Sequence, residues 1–117
     1  MKKFYFLSTC STCQRIMKTL ELEAEVALQD IKGHPLTAEQ VDEMKSLSGS
    51  YESLFSRRAM KYRLMGLHEQ SLTEDDYRSL ILQEYTFLKR PVLIVDDQIF
   101  VGNSKKVVEA AKDALSQ

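Results

Sequence analysis

Tryptophan is absent from this 117-residue chain, and cysteine, proline and histidine occur only twice each. Two cysteines exclude the disulfide-dense framework of small secreted domains. The two histidines, His34 and His68, stand far apart in sequence. A C-x-x-C pair therefore lacks the second pair, or the two spaced histidines, that structural zinc sites use, which argues against a metal. An excess of charge of either sign is missing too: 16 basic against 17 acidic residues leave a net charge of -1, with no bulk attraction to nucleic acid or membrane. No apolar run is long enough to span a bilayer. The opening MKKFYFL starts like a secretory leader, but its apolar stretch stops after Leu7 and reads better as a strand, so a cytoplasmic protein is expected. With 44% hydrophobic and 28% charged residues, the composition suits one globular domain over residues 1–117. No repeat, low-complexity tract or linker divides it.

What is present is concentrated in STCSTCQR, residues 8–15, where Cys10 and Cys13 stand at C-x-x-C spacing. A permanent bridge is disfavoured in a reducing compartment. A redox pair has a physical rationale. A free thiol titrates near pH ~8.5, and a sulfur at a helix N-terminus gains the unpaired N–H groups and the helix dipole, which favour the thiolate. Cys10 falls just before a predicted helix and Cys13 one turn inside it, so the first sulfur can attack and the second resolve. Arg15 and Lys18 add positive potential nearby, although residues a turn apart point to different sides. The plain alternative is that both cysteines are small apolar filler at chance spacing.

The order of elements sharpens the choice. KKFYFL (2–7) reads as a strand, and Ile16, Met17 and Leu20 give helical spacing from Ser11 to Leu22. EVALQDI (25–31) reads as a second strand, ended by GHP. Thr37 with Gln40 forms a capping box for a helix that stops at Gly49. Residues 51–67 look helical but less regular, with Leu54, Phe55, Ala59, Met60, Tyr62 and Leu64 apolar and Gly66 as terminator. Thr73 caps another helix with acids in its first turn and Tyr77, Leu80 and Ile81 on its apolar face. VLIVDDQIFVG gives a buried strand, an Asp96-Asp97 turn and a returning strand. A last helix, capped by Asn103 or Ser104, turns Val107, Val108, Ala111 and Leu115 inward. The five methionines are expected as core filler; His34 and His68 receive no role.

Strand-helix-strand at the start and strand-strand-helix at the end match the thioredoxin-like α/β arrangement. A mixed four-stranded sheet with a helical insertion at about 37–87 is therefore expected. Pro91 opens the third strand, an allowed place for a residue without an N–H; in thioredoxin-like folds that proline is typically cis and faces the redox cysteine. Arg90 then stands beside the site as an anion anchor, its fork of donors matching oxyanions. The cluster Arg57, Arg58, Lys61 and Arg63 reads more simply as solvated helix charge.

STCSTCQR, SRRAMKYRLMGL and KRPVLIVDDQIFVG, in this order and with fitting gaps, resemble the ArsC/Spx family over nearly the whole chain. That family comprises glutathione/glutaredoxin-dependent arsenate reductases and the Spx transcriptional regulators. The resemblance implies Cys10 as nucleophile, Arg90 as oxyanion ligand, Pro91 as a cis proline, and Gly102 as the glycine of the Spx-like VGYNE pattern. It implies no bound cofactor, with glutathione/glutaredoxin or another external thiol as reductant, and a small oxyanion or a thiol/disulfide as substrate. The departures are specific. Cys13 replaces the serine of typical reductases, Gln14 stands where they have arginine, and Arg15 follows one position later. Their mid-chain arginine aligns with Ser56, so the resemblance implies the adjacent Arg57 or Arg58, with Arg15, as further oxyanion-binding residues beside Arg90, and the hairpin arginine falls near Phe100. Cys13 is instead the Spx-like feature, so a redox switch acting on RNA polymerase is the alternative; the basic tail associated with Spx is missing. A monomer is expected.

Overall fold

The computed structural model describes residues 1–116; Gln117, the last residue of the expected 1–117 domain, lies outside the described residues. The chain divides into two compact units, Met1–His34 with the segment from Arg90 onward, and Pro35–Lys89.

The first unit is built on strand β1, Lys2–Phe6, whose aromatic residues favour a pleated, half-buried surface. Phe4 and Phe6 project to one side, their rings stacked at 5.9 Å. Helix α1 covers Ser11–Leu20 and ends at Glu21, which takes the left-handed conformation (φ 50°) without being glycine. The helix expected to reach Leu22 therefore stops two residues early. Strand β2 is Ala27–Asp30, shorter than the expected 25–31 because the chain turns at Ile31, where the His34 amide donates to the Asp30 carbonyl at 2.9 Å. Strands β3, Val92–Val95, and β4, Gln98–Val101, form the hairpin, with Asp96 at φ 54° in the turn. Ser104, not Asn103, caps helix α5, Lys105–Leu115, accepting from the Val107 amide.

The sheet order is β2-β1-β3-β4. β1 pairs in parallel with β2 (Phe4 with Leu28) and antiparallel with β3 (Phe4 with Leu93), and β3 pairs antiparallel with β4. This is the mixed four-stranded, thioredoxin-like sheet. Phe4, Leu93 and Val95 from the sheet, Ile16 and Leu20 from α1, and Ala111 and Ala114 from α5 make one apolar cluster. Val107 and Val108 are only half-buried; the small Ala114, not singled out in the sequence, is buried instead.

The second unit holds α2, Ala38–Ser48, and α4, Glu74–Gln83, each entered through a complete capping box on Thr37 or Thr73. Gly49 closes α2 at φ 105°, a conformation open to glycine at no steric cost. Between the two helices the structure departs from the expected helical stretch over 51–67. Glu52–Leu54 is one 3-10 turn, Phe55 bridges to Leu88, α3 is only Met60–Leu64, and Leu67–Glu69 is a second 3-10 turn. The Glu74 carboxylate accepts from the amides of Tyr51 (2.8 Å) and Glu52 (3.1 Å), a side-chain alternative to the helical ladder. Met60 and Leu64 are 81% and 78% exposed, so their helical spacing marks no core face. Of the methionines, Met44 is buried while Met1, Met60 and Met65 are exposed. The unit's buried centre is aromatic: Phe55 packs on Phe87 at 5.1 Å and on Tyr77 at 4.9 Å. Among the described residues no helix is long and apolar enough to cross a membrane.

Candidate functional site

β1 delivers the chain to a tight turn, in which the Cys10 amide donates to the Leu7 carbonyl at 3.0 Å. Cys10 itself is the N-cap of α1, extended at φ -93° and ψ 114°, and its carbonyl accepts the first helical bond, from the Gln14 amide at 3.1 Å. The sulfur closes no formal cap hydrogen bond, yet the Thr12 and Cys13 amides approach it closely enough to favour the thiolate. The N-terminal end of a helix holds such donors without intrahelical partners.

The two thiols are free and differ in setting: Cys10 is half-buried and Cys13 buried. Burial pushes the Cys10 thiol up, but the Cys13 amide, the Cys13 side chain, the Thr12 amide and the Arg90 charge outweigh it and leave it below the ordinary range. Burial is also the largest influence on Cys13 and pushes it up to about 11; the Leu7 backbone and Arg90 oppose, while the hydrogen bond and charge of Cys10 add to the rise. The two sulfurs are thus biased in opposite senses, Cys10 toward its thiolate form and Cys13 toward its thiol form.

Arg90 reaches this pair from the start of β3. It is half-buried, its Nε is shielded from solvent, and the Arg90–Pro91 peptide bond is cis. The Pro91 carbonyl accepts from the Gly102 amide at 2.9 Å, which ties the entry of β3 to the end of β4. Cys10, Cys13 and Arg90 thus interact within the first unit, with Pro91 next to Arg90 in the chain. Arg15 is exposed on α1.

Arg57 and Arg58 belong to the second unit. The Arg57 guanidinium is engaged there, donating to Glu52 at 2.6 Å and to the Tyr77 hydroxyl at 3.0 Å. The Arg58 side chain is exposed. Among the described residues no group of three or more His, Cys, Asp or Glu is placed to hold a metal ion. A shallow cavity of about 160 Å³, lined among others by Lys2, Leu20, Glu21 and Lys112, opens at the opposite end of α1 from Cys10 and contains none of the candidate residues.

Two residues hold the Cys10 turn: Asp30, which sequence reasoning passed over, and Gln14, which it noted only as a departure from the reductases' arginine. Asp30 accepts from the Ser8 amide at 3.3 Å, and Gln14 donates to the Ser8 carbonyl at 3.0 Å. Asp30 carries no motif; only the pairing of the ends of β1 and β2, Phe6 with Asp30, reveals it.

A Staphylococcus aureus protein solved by NMR superposes with a TM-score of 0.75 at 27% identity, covering 94% of this chain and 97% of that one. An arsenate reductase (ArsC) related protein from Brucella melitensis superposes at 0.72 with 25% identity, over 93% of this chain and 92% of that one. The arsenate reductase from Vibrio cholerae matches at 0.78 over 97% and 96% of the two chains, but at 13% identity, a likeness of fold alone. No curated protein matches the sequence significantly. The ArsC family model matches residues 5–111, a span that takes in the Cys10 turn, the whole second unit and the Arg90–Pro91 corner: the chain belongs to the ArsC family.

Proposed function

We propose that the protein is a thiol-dependent oxidoreductase of the arsenate reductase kind, with Cys10 as nucleophile and Arg90 as the cation beside it. The observation that carries this reading is the placement of two free thiols, Cys10 half-buried at the N-cap of α1 and Cys13 buried one turn inside it, a contrast in setting that lowers the first thiol and raises the second. Such a contrast suits attack by one sulfur and later resolution by the other.

With arsenate as substrate, the Cys10 thiolate attacks arsenic; an As–O bond breaks and the oxygen leaves, protonated, as water. A second thiol then attacks the Cys10 sulfur. The S–S bond forms, the S–As bond breaks, and its electron pair stays on arsenic, which departs as arsenite. Two thiols lose the two electrons that arsenic gains. Cys13 is the internal candidate for this second thiol, since the Cys10 charge and hydrogen bond that help keep its proton vanish once Cys10 is esterified. Glutathione, alone or through glutaredoxin, is the external candidate and the reductant of any Cys10–Cys13 disulfide. A disulfide substrate follows the same route through a mixed disulfide. The reading keeps one of Arg57 or Arg58, together with Arg15, as further cations for a substrate oxyanion; it needs no bound cofactor and takes the protein as a monomer in the cytoplasm.

The test is arsenate-dependent NADPH oxidation coupled through glutathione reductase, glutathione and glutaredoxin. Turnover by the wild type, lost in Cys10→Ser, is the expected result; undiminished turnover in the mutant would sink the assignment. A second reading, a redox switch of Spx type, is favoured by the same buried Cys13, which can close a disulfide without substrate. It predicts no turnover, and capture of RNA polymerase that differs between the reduced and oxidised protein.

A further inference from the structure

Ser8 is held from both sides, two residues ahead of Cys10. Its amide donates to Asp30 Oδ1 at 3.3 Å, and its carbonyl accepts from Gln14 Nε2 at 3.0 Å. Its side chain also bonds to the Asp30 carboxylate, the foremost cause of that group's lowered pKa. Asp30 is itself anchored. It ends β2 opposite Phe6, the next residue's amide, of Ile31, donates to the Phe6 carbonyl at 2.9 Å, and the Asp30 carbonyl accepts from the His34 amide. Its Oδ1 also accepts from the Lys32 amide at 3.2 Å. Gln14 is equally fixed, since its amide closes the first helical bond onto the Cys10 carbonyl. The turn that carries the candidate nucleophile thus hangs between the end of one strand and the first turn of the helix that the nucleophile caps.

We propose that Asp30 and Gln14 are positioning residues: clamping Ser8, they fix the Leu7–Cys10 turn so that the Cys10 sulfur stays over the Thr12 and Cys13 amides. The inference rests on Cys10 being the reactive thiol of the proposed function. It adds Asp30, to which neither the C-x-x-C motif nor Arg90 draws attention, and gives Gln14 a role that its place in the motif does not state. The clamp works by shape. A negative charge near a thiolate is unfavourable in itself, so Asp30 helps Cys10 only by what it holds.

That opposition makes the test decisive, and it needs no substrate. The probe is iodoacetamide alkylation of the intact reduced protein across pH, resolved by peptide mass spectrometry so that Cys10 is read apart from Cys13. Asp30→Ala is expected to slow Cys10 alkylation at neutral pH roughly fivefold and to move its midpoint upward, the scale of one lost hydrogen bond. Asp30→Asn, which keeps the acceptor oxygen and drops the charge, is expected to restore the wild-type rate. Gln14→Leu, on the exposed face of α1, is expected to slow alkylation in the same sense, and it tests the clamp even if Asp30→Ala does not fold. An unchanged Cys10 rate in folded Asp30→Ala and Gln14→Leu overturns the proposal. So does faster alkylation in both Asp30 variants, which would make the carboxylate a repelling charge and no clamp. Absence of arsenate turnover in the wild type counts against the proposed function and leaves the alkylation comparison standing.

Discussion

The two units of the chain solve the same problem by opposite means. In the first, backbone ladders do most of the positioning: four strands and two helices of 10 and 11 residues fix where Cys10 and Arg90 stand. In the second, side chains do it. Asp42 takes a forked pair of bonds from Arg78 (2.8 and 3.2 Å) and a third from the Tyr51 hydroxyl at 2.6 Å. Glu74 holds the turn at Tyr51, Arg57 joins Glu52 to Tyr77, and Lys61 pairs with Glu84. Regular structure satisfies its own polar groups, whereas short turns must borrow partners from elsewhere. A unit built in the second way is sensitive to single residues that the first could spare.

The heaviest test of that contrast is Phe55→Ala. Phe55 is fully buried among Phe87, Tyr77 and Tyr62, and its removal should cost about 3–5 kcal/mol in urea denaturation. A cost below that of an ordinary surface change would break the account of the second unit. Arg90→Met comes next and probes the first unit, where charge acts on a framework that stays intact. On the proposed reading it should lower Cys10 alkylation at neutral pH roughly tenfold and raise its midpoint, while the far-ultraviolet circular dichroism stays unchanged.

A smaller effect is expected from the Asp42 pair, and it depends on pH. Arg78, then Tyr51, hold the Asp42 carboxyl down to about 2. A carboxyl depressed on folding contributes its stability above the ordinary carboxylate pKa of about 4, and loses it as pH falls toward the folded value. Thermal midpoints of Asp42→Asn and wild type should therefore differ most at neutral pH and converge between about pH 4 and 2. Parallel curves across that window would remove the pair from the account. Smallest of all is Met60→Gln. With its side chain exposed on α3, the change should shift unfolding by less than about 0.5 kcal/mol.

These differences also explain what was legible in the sequence. Thr37 with Gln40, and Thr73 ahead of three acids, could be read because capping is local chemistry between residues three apart. The order of strands and helices along the chain could be read because β1 and β3 carry recognisable apolar runs. Residues 51–67 misled, because helical spacing of Leu54, Phe55, Met60 and Leu64 says nothing of Glu74, which lies beyond the stretch and takes the amides of Tyr51 and Glu52. At the site, Cys10, Cys13, Arg90 and Pro91 announce themselves by motif. Asp30 does not, for its partner Ser8 lies 22 residues away and meets it only through the register of two parallel strands.

That register has a consequence for how the chain assembles during synthesis. β1 sits in the middle of the sheet, yet its antiparallel partner β3 pairs Lys2 with Val95, so the pairing must wait until most of the polypeptide has left the ribosome. Its parallel partner β2 arrives some 25 residues after it, pairing Lys3 with Ala27. A nascent chain can thus close only one side of its central strand early, and loop-closure entropy defers the other. The apolar edge left open in the interval, bearing Phe4 and Tyr5, is the stretch a growing chain most needs to keep from a neighbour's strands.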